Sequence, residues 1–379
     1  MKRLTFDLEF ITPAFIGGAY QQAELRPASF VGLLRWWWRA LKGECDIKRL
    51  REEEVKIFGG IAKNLRKEEI KMASPVYLRL EGDVRKGEDL IKECGLSLIF
   101  DEKKRAFVGS HIGVGYLYYF MLPKKKRNGQ EEKGREFIEP GSRLKLTLIG
   151  KDKVLKHYIA SLWALVFLGG VGARSRRGGG NLAVVGYEPK DLPKDLEIFF
   201  TPTGDLYKWL VENLKKAKEL VGSPKTPCDK YGECECEYST LPDPASSDFK
   251  LEVSKKTFNA WFEALNDIGK EFMRFRSENR QSVFDTAVFG FSFIRGKGPF
   301  VELEEKIKKS EEKIKRRSSP VIIKVVKTPE GKYKWMVLRL RGKFLPDGAK
   351  LRFWEETGEP NLGLIEEFFK RLKERQKNE

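Results

Sequence analysis

The chain has 379 residues and a net charge of +18, from 73 Lys+Arg against 55 Asp+Glu. This length buries a proper core and predicts about two domains. The positive excess favours a nucleic acid over an anionic membrane surface as partner. The 41% of hydrophobic residues excludes wholesale disorder. Since no apolar run reaches the roughly 18 residues of a membrane span, and the N-terminus alternates and contains acids, the sequence predicts a soluble cytoplasmic protein.

Hydrophobic periodicity predicts alternating strands and helices in the first half of the chain. Ser29 is a suitable N-cap for a first helix, and Gly43 is a suitable stop. The order is β-α-β-β-α-β with an insertion, which is the ferredoxin-like arrangement. In chain order the predicted elements are strand Leu4–Ile11, helix Ser29–Lys42, strands Val76–Leu80, Leu96–Phe100, Tyr116–Leu122 and Arg143–Ile149, helix Lys153–Leu168 and strand Leu182–Tyr187.

The second half predicts a further α/β domain. Pro189 and Pro193 mark the boundary, so we expect domains at 1–190 and 191–379. The two halves could be a distant duplication of one fold. The predicted elements are strand Leu196–Phe200, helices Leu206–Leu220 and Phe258–Arg276, strands Ser319–Lys327 and Tyr333–Leu340, and helix Leu362–Gln376.

A glycine loop, Gly169–Asn181, holds six glycines and three arginines between the second predicted helix and a strand. Glycine allows a polyanion to approach the backbone N–H groups, and arginine supplies planar cations that match phosphate. The loop lacks the Gly-Lys-[Ser/Thr] ending of a Walker A loop. It also follows a helix, whereas a dinucleotide fingerprint follows a strand. A flexible turn is the alternative. The pattern favours a phosphate-backbone site formed by Gly172, Arg174, Ser175, Arg176, Arg177 and Gly178.

A basic stripe, Arg35, Arg39 and Lys42, lies one turn apart on the first predicted helix, opposite the face that Trp37 shares with apolar residues. The stripe contains no acid, which favours phosphate binding over a simple solvated face. Trp36 and Trp38 flank the stripe. They either cover domain or subunit contacts, or one of them stacks on a base.

Three cysteines, Cys228, Cys234 and Cys236, cluster in a Pro-rich loop. Their C-x5-C-x-C spacing matches no standard zinc knuckle. A plain loop is the main interpretation, zinc binding and a disulfide are alternatives, and the sequence predicts neither a metal nor a cofactor.

The glycine loop and the helix motif Gly32-Leu-Leu-Arg-Trp-Trp-Trp-Arg39, in this order, resemble the RAMP superfamily of CRISPR-associated proteins. The segment Thr12-Pro-Ala-Phe-Ile-Gly-Gly18, the pair Phe289-Gly290 and the run Arg316–Lys324 resemble one branch, the first RAMP subunit of the Cmr (type III-B) RNA-guided effector complex. The resemblance implies an α+β fold of two ferredoxin-like (RRM-like) βαββαβ domains with insertions. It implies contacts with the 3′-side of the guide RNA (crRNA), with the paired target RNA and with other Cmr RAMP subunits, for antiviral defence.

Three functional hypotheses follow. The preferred one is a non-catalytic RNA-binding subunit that recognises backbone and shape. The alternative is a metal-independent endoribonuclease that matures CRISPR RNA, for which His111 is the weak candidate and His157 the other histidine. Related enzymes place a histidine after the first strand or in the first helix, where none occurs here. Asp285 has no paired acid in the sequence and is interpreted as structural or partner-facing. A subunit that contacts only protein is the third hypothesis.

Overall fold

The computed structural model describes residues 1–18, 22–63, 69–125, 129–187, 196–224, 236–292, 300–303, 316–353 and 355–379. Within these ranges the fold is α+β, as predicted, and no helix is both long and apolar enough to span a membrane. The helices are α1 (Pro27–Lys42), α2 (Ile47–Phe58), α3 (Leu90–Glu93), α4 (Ile112–Leu117), α5 (Asp152–Phe167), α6 (Leu206–Leu220), α7 (Trp261–Glu278) and α8 (Gly363–Asn378).

The strands form several small sheets and one larger sheet. They are β1 (Lys2–Phe10), β2 (Gly60–Lys63), β3 (Glu69–Met72), β4 (Tyr77–Glu81), β5 (Lys86–Gly87), β6 (Ile99–Asp101), β7 (Ala106–Val108), β8 (Lys124–Lys125), β9 (Glu131–Glu132), β10 (Phe137–Ile138), β11 (Arg143–Gly150), β12 (Leu182–Tyr187), β13 (Leu251–Val253), β14 (Phe291–Ser292), β15 (Phe300–Leu303), β16 (Arg316–Arg317), β17 (Val321–Lys327), β18 (Tyr333–Arg339), β19 (Ala349–Phe353) and β20 (Glu356–Gly358).

The larger sheet has the antiparallel order β12-β1-β11-β4 and carries α1 and α5 on one face. Its strands and helices follow one another along the chain as β1, α1, β4, β11, α5 and β12, which is the predicted β-α-β-β-α-β order. Alternate residues of β1, such as Leu4, Phe6 and Leu8, are buried because the pleat directs them toward the helices. The segment 82–142 is an insertion between β4 and β11.

The second half contains the three-stranded sheet β13-β18-β17, with α7 packed against β17 and β18. Two buried clusters form the cores, and each draws residues from both sides of position 190. In the first cluster α6 packs on α5, so Trp209 meets Phe167 with ring centroids 4.8 Å apart. In the second, α4 of the insertion crosses α7. The division into domains at 1–190 and 191–379 stays a prediction.

Three sequence predictions of local structure were wrong. The predicted strand Tyr116–Leu122 is the end of α4 followed by turns. Gly113 of α4 permits this, because a Cβ there would lie 2.3 Å from the carbonyl oxygen of Asn266 on α7. The predicted strand Leu196–Phe200 is irregular, although alternate residues in it are buried. The first helix begins at Pro27 rather than after Ser29, since proline is well suited to the first helical position.

A disulfide joins Cys45, in the α1–α2 connection, to Cys236 across 191 positions of sequence. The plain-loop interpretation of Cys236 was therefore wrong, and the disulfide alternative pairs it outside the predicted cluster. Cys228 and Cys234 lie outside the described residues, within which no group of three potential ligands could hold a metal ion.

We expect reduction of this disulfide to lower the free energy of unfolding by about 2 to 5 kcal/mol, because the long loop that it closes restricts the unfolded chain. Urea unfolding of the protein with and without dithiothreitol measures the change. Cys45→Ser should show the same loss and no further response to dithiothreitol. Equal midpoints for all samples would contradict the stabilising role.

Candidate nucleic-acid interface

The glycine loop is folded against other backbone segments so closely that side chains do not fit. A Cβ on Gly170 would lie 2.4 Å from the carbonyl oxygen of Gly179, and one on Gly172 would lie 2.6 Å from that of Phe15. Gly180 is the tightest position, with Val171 O at 1.9 Å and φ of +60°. Packing therefore explains these glycines, which the sequence interpretation assigned to polyanion access.

The outer part of the loop nevertheless offers backbone donors. The N–H groups of Arg174, Ser175 and Arg176 donate to no acceptor within the residues that the structure describes. Arg174 has φ of +61°, the left-handed region that a non-glycine residue rarely adopts. Successive N–H groups around such a residue can form an anion-binding concavity.

Two of the three loop arginines bind carbonyl groups of the second half. Arg176 Nη1 donates to the carbonyl oxygen of Ser319, and Arg177 donates to those of Val321 and Phe289. The Ile323 N–H donates to Arg176 O at 3.1 Å. The segments around Phe289 and 316–324, noted in the sequence only as family markers, are therefore the partners of the loop.

Arg174 enters a pocket of about 460 Å³, the arginine pocket, with its guanidinium 5.1 Å from the centre of the Phe120 ring. Among the residues that the structure describes, no acid lines the pocket. Its charged and aromatic lining residues are Arg105, Arg174, Arg177, Arg276, Phe107, Tyr116, Tyr119, Phe120 and Phe272. Guanidiniums bind phosphate and aromatic faces stack on bases, so the lining suits a nucleotide.

Burial changes the pKa of two arginines that line the pocket. It lowers the pKa of Arg174, and it lowers the pKa of Arg177 to about 9, with neighbouring Arg276 adding to the effect. Arg177 still remains protonated at pH 7. The Nε atom of Arg276 has no hydrogen-bond partner in the described part of the chain. An anion in the pocket would compensate this positive charge, because partly buried charges interact strongly.

The basic stripe is free of acids only along its own helix. Glu54 of α2 bridges two of its members, 2.8 Å from Arg35 Nε and 3.3 Å from Arg39 Nη1. Lys42 is buried, pairs with Glu53 at 2.7 Å, and donates to carbonyls at the end of α6. This pairing reduces the charge available to a phosphate. Phosphate binding by the stripe stays a prediction.

The three tryptophans of α1 have different environments. Trp37 is core, as predicted, and its ring lies where a Cβ on Gly169 would be. Trp38 is fully buried, which excludes base stacking. Trp36 is half-buried and faces the loop, with the guanidinium of Arg176 5.3 Å from its ring centre. The helix and the loop, separated by more than 120 residues in the sequence, thus meet at this contact.

The candidate catalytic groups all have structural hydrogen bonds. His111 Nδ1 accepts from the Ser97 N–H at 2.9 Å, and its ring packs on Phe262. His157 Nδ1 accepts from the Trp38 indole N–H at 3.2 Å. Asp285 accepts from the Ser282 N–H within a turn.

Sequence reasoning missed most of the arginine pocket. Arg105 and Arg276 are single cations in charged segments, with no local pattern that distinguishes them. The aromatic run 116–120 was the only available signal, and its assignment to a strand concealed the wall that it forms beside Arg174.

Comparison with known proteins shows the family of the chain. A model of the RAMP superfamily matches residues 7–183. The curated "CRISPR system Cmr subunit Cmr1-2" of Pyrococcus furiosus is 34% identical over 96% of its own length and 48% of this chain.

The chain belongs to the RAMP superfamily.

Within that superfamily it falls in the Cmr1 branch. A second P. furiosus relative, Cmr1-1, is 27% identical over 94% of this chain and 89% of its own. The crystal structure of P. furiosus Cmr1 in its apo form matches with a TM-score of 0.58 and 23% identity, over 92% of this chain and 90% of that one. A chain of the type III-B Cmr-beta complex bound to cognate target RNA matches with a TM-score of 0.54 and 13% identity, over 99% of both. These two structures share the fold.

The RAMP glycine loop should tolerate a side chain poorly at Gly180. We expect Gly180→Ala to lower the free energy of unfolding by about 3 kcal/mol or more, since a Cβ meets the Val171 carbonyl. Gly204 is a matched control, because its φ is +61° and nothing lies within 4 Å of its Cβ position. Gly204→Ala should lower the free energy of unfolding only by the backbone strain that it introduces, about 1 to 2 kcal/mol. Equal losses in urea unfolding would contradict the packing explanation.

Burial, together with nearby Lys156 and Lys42, lowers the pKa of His157 to about 4. The unfolded chain, with a pKa near 6.5, therefore binds the proton first as the pH falls. Stability should decline between pH 6.5 and 4 by at most about 1.4 kcal/mol per pH unit from this group, with no change outside that window. His157→Gln retains an acceptor for Trp38 and should have a shallower slope in urea unfolding. Identical slopes would overturn the assignment.

Proposed function

We propose that this Cmr1-branch protein is a non-catalytic RNA-binding subunit of a type III-B CRISPR effector complex. It contacts the 3′-side of the guide RNA, the guide–target duplex, or both, and neighbours other Cmr subunits. The observation that carries the proposal is the arginine pocket, whose described lining brings together four guanidiniums and several aromatic rings and includes no carboxylate. Membership in the Cmr1 branch and the net charge of +18 support it.

The pocket and the loop supply complementary contacts in this proposal. Arg174 and the N–H groups of Gly172, Arg174, Ser175 and Arg176 bind phosphates, and the rings beside Arg174 stack on an unpaired base. Arg177 and Gly178 hold the loop in place, because Arg177 binds carbonyls of the second half and Gly178 packs on Leu265. Recognition is of backbone and shape, while base pairing supplies sequence.

The second half is, in this proposal, an altered ferredoxin-like unit. Apart from the short strands β14–β16, β19 and β20, the succession is β13-α7-β17-β18-α8, and with the spatial order β13-β18-β17 it corresponds to the first three strands and two helices of such a domain in the part of the chain that the structure describes. The pocket then lies where the insertion of the first unit meets α7 of the second, and the loop arginines join the two.

RNA binding by the pocket is tested with Arg105→Ala combined with Arg174→Ala. Arg105 is exposed, and in the described part of the chain the side chains of Arg105 and Arg174 donate to no backbone carbonyl. We expect the dissociation constant for a single-stranded RNA to rise about tenfold or more, and the salt slope to fall by about 1.4, for two phosphate contacts. Fluorescence anisotropy at several salt concentrations measures both.

The matched control removes two exposed cations of α8, Lys370→Ala with Lys373→Ala. It has the same net charge as the pocket variant and should bind nearly as the parent does. Equal weakening by both pairs would mean that only net charge matters and would reject the pocket. Circular dichroism confirms that each variant is folded.

The basic stripe forms a secondary contact in the proposal. Because Glu54 already pairs with Arg39, we expect Arg39→Ala to weaken RNA binding by only about threefold. Labelled repeat RNA incubated with the protein in EDTA should stay intact. Cleavage that disappears in His111→Ala would instead establish the endoribonuclease alternative.

A further inference from the structure

A second pocket of about 470 Å³, the acidic cleft, lies on the insertion between β4 and β11. Its floor is apolar and includes Leu98 and Phe100, while Ile99 is 73% exposed at its edge. Among the described residues, five carboxylates line it against two ammonium groups. The carboxylates belong to Glu88, Asp89, Glu131, Glu132 and Glu136.

This charge is opposite to that of the whole molecule. A chain with net charge +18 concentrates acids around one apolar cleft, so the cleft repels the RNA backbone that the arginine pocket attracts. Two of these acids bind neutral donors, since Asp89 caps α3 and Glu136 accepts from the Ala23 N–H. A hydrogen bond from a neutral N–H leaves the negative charge in place.

The chain itself shows which group this cleft accepts. The ammonium of Lys124 lies 4.4 Å from the ring centre of Tyr119 and 5.8 Å from that of Phe100, with Glu132 at 4.0 Å. A cation is thus held between an aromatic face and a carboxylate, which is a favourable environment for lysine and arginine. Further carboxylates along the cleft offer acceptors for cations, and the exposed Ile99 offers an apolar surface beside them.

We propose that the acidic cleft is a docking site for a protein segment that carries lysine or arginine together with bulky apolar side chains. Charge complementarity selects the segment, and its apolar residues cover Ile99 and the floor of the cleft. The site is separate in chemistry from the proposed RNA contacts, so either proposal can fail without the other.

The test uses the full chain and a fluorescein-labelled peptide of four lysines, three leucines and two glycines. We expect saturable binding in fluorescence anisotropy, weaker binding when serines replace the leucines, and no competition from an unlabelled peptide in which glutamates replace the lysines. Glu88→Gln with Glu132→Gln should weaken binding about fivefold, and Ile99→Ser should also weaken it.

Glu367→Gln with Glu374→Gln is the matched control, because it removes two exposed acids from α8 and should leave the affinity unchanged. Both substituted positions of the cleft variant are exposed, so we expect it to keep the parent's circular dichroism and melting temperature. Absence of saturable binding, or an equal effect of the two double variants, would overturn the proposal.

Discussion

The close packing of the glycine loop is the constraint on which the remaining structure depends. The loop passes between the first strand's extension, α1, α7 and β17, and at several positions the gap admits no atom beyond the backbone. Two of its arginines, Arg176 and Arg177, donate hydrogen bonds to carbonyl oxygens of the second half. The buried ammonium of Lys324 completes this junction by donating to Gly169 O at 2.7 Å. A residue larger than glycine would separate the two halves, and with them the walls of the arginine pocket.

The basic stripe and the arginine pocket differ in whether carboxylates compensate their positive charge. On α1 the cations are paired by Glu53 and Glu54, of which Glu54 is buried. In the part of the arginine pocket that the structure describes, no lining carboxylate compensates the guanidiniums, and burial lowers the pKa of Arg177 to about 9. Unpaired buried charge opposes folding. Its presence in an otherwise well-packed protein is understandable if an anion occupies the pocket when the protein functions.

The sequence predicted the parts that depend on local pattern. The alternation in β1, the apolar face of α1 and the Gly43 stop were correct, because periodicity and capping act over a few residues. The strand assigned to 116–122 was wrong because a glycine-mediated contact with α7, far away in sequence, fixes a helix there. The pairing of Arg35 with Glu54 and of Cys45 with Cys236 could not be predicted for the same reason, since each joins elements that only the fold brings together.

Aromatic side chains of the insertion between β4 and β11 separate the positively charged arginine pocket from the negatively charged acidic cleft. Phe107, Tyr119 and Phe120 face the arginine pocket, while Phe100 faces the acidic cleft and contacts Phe107 at 5.3 Å between ring centres. Lys124 lies over this wall of rings, where the ring face of Tyr119 stabilises its charge in addition to Glu132. These rings stand between the guanidiniums that line one pocket and the carboxylates that line the other, so each pocket keeps its own sign of charge. Under the two proposals, a polyanion and a basic protein segment would bind neighbouring surfaces of one insertion without competing.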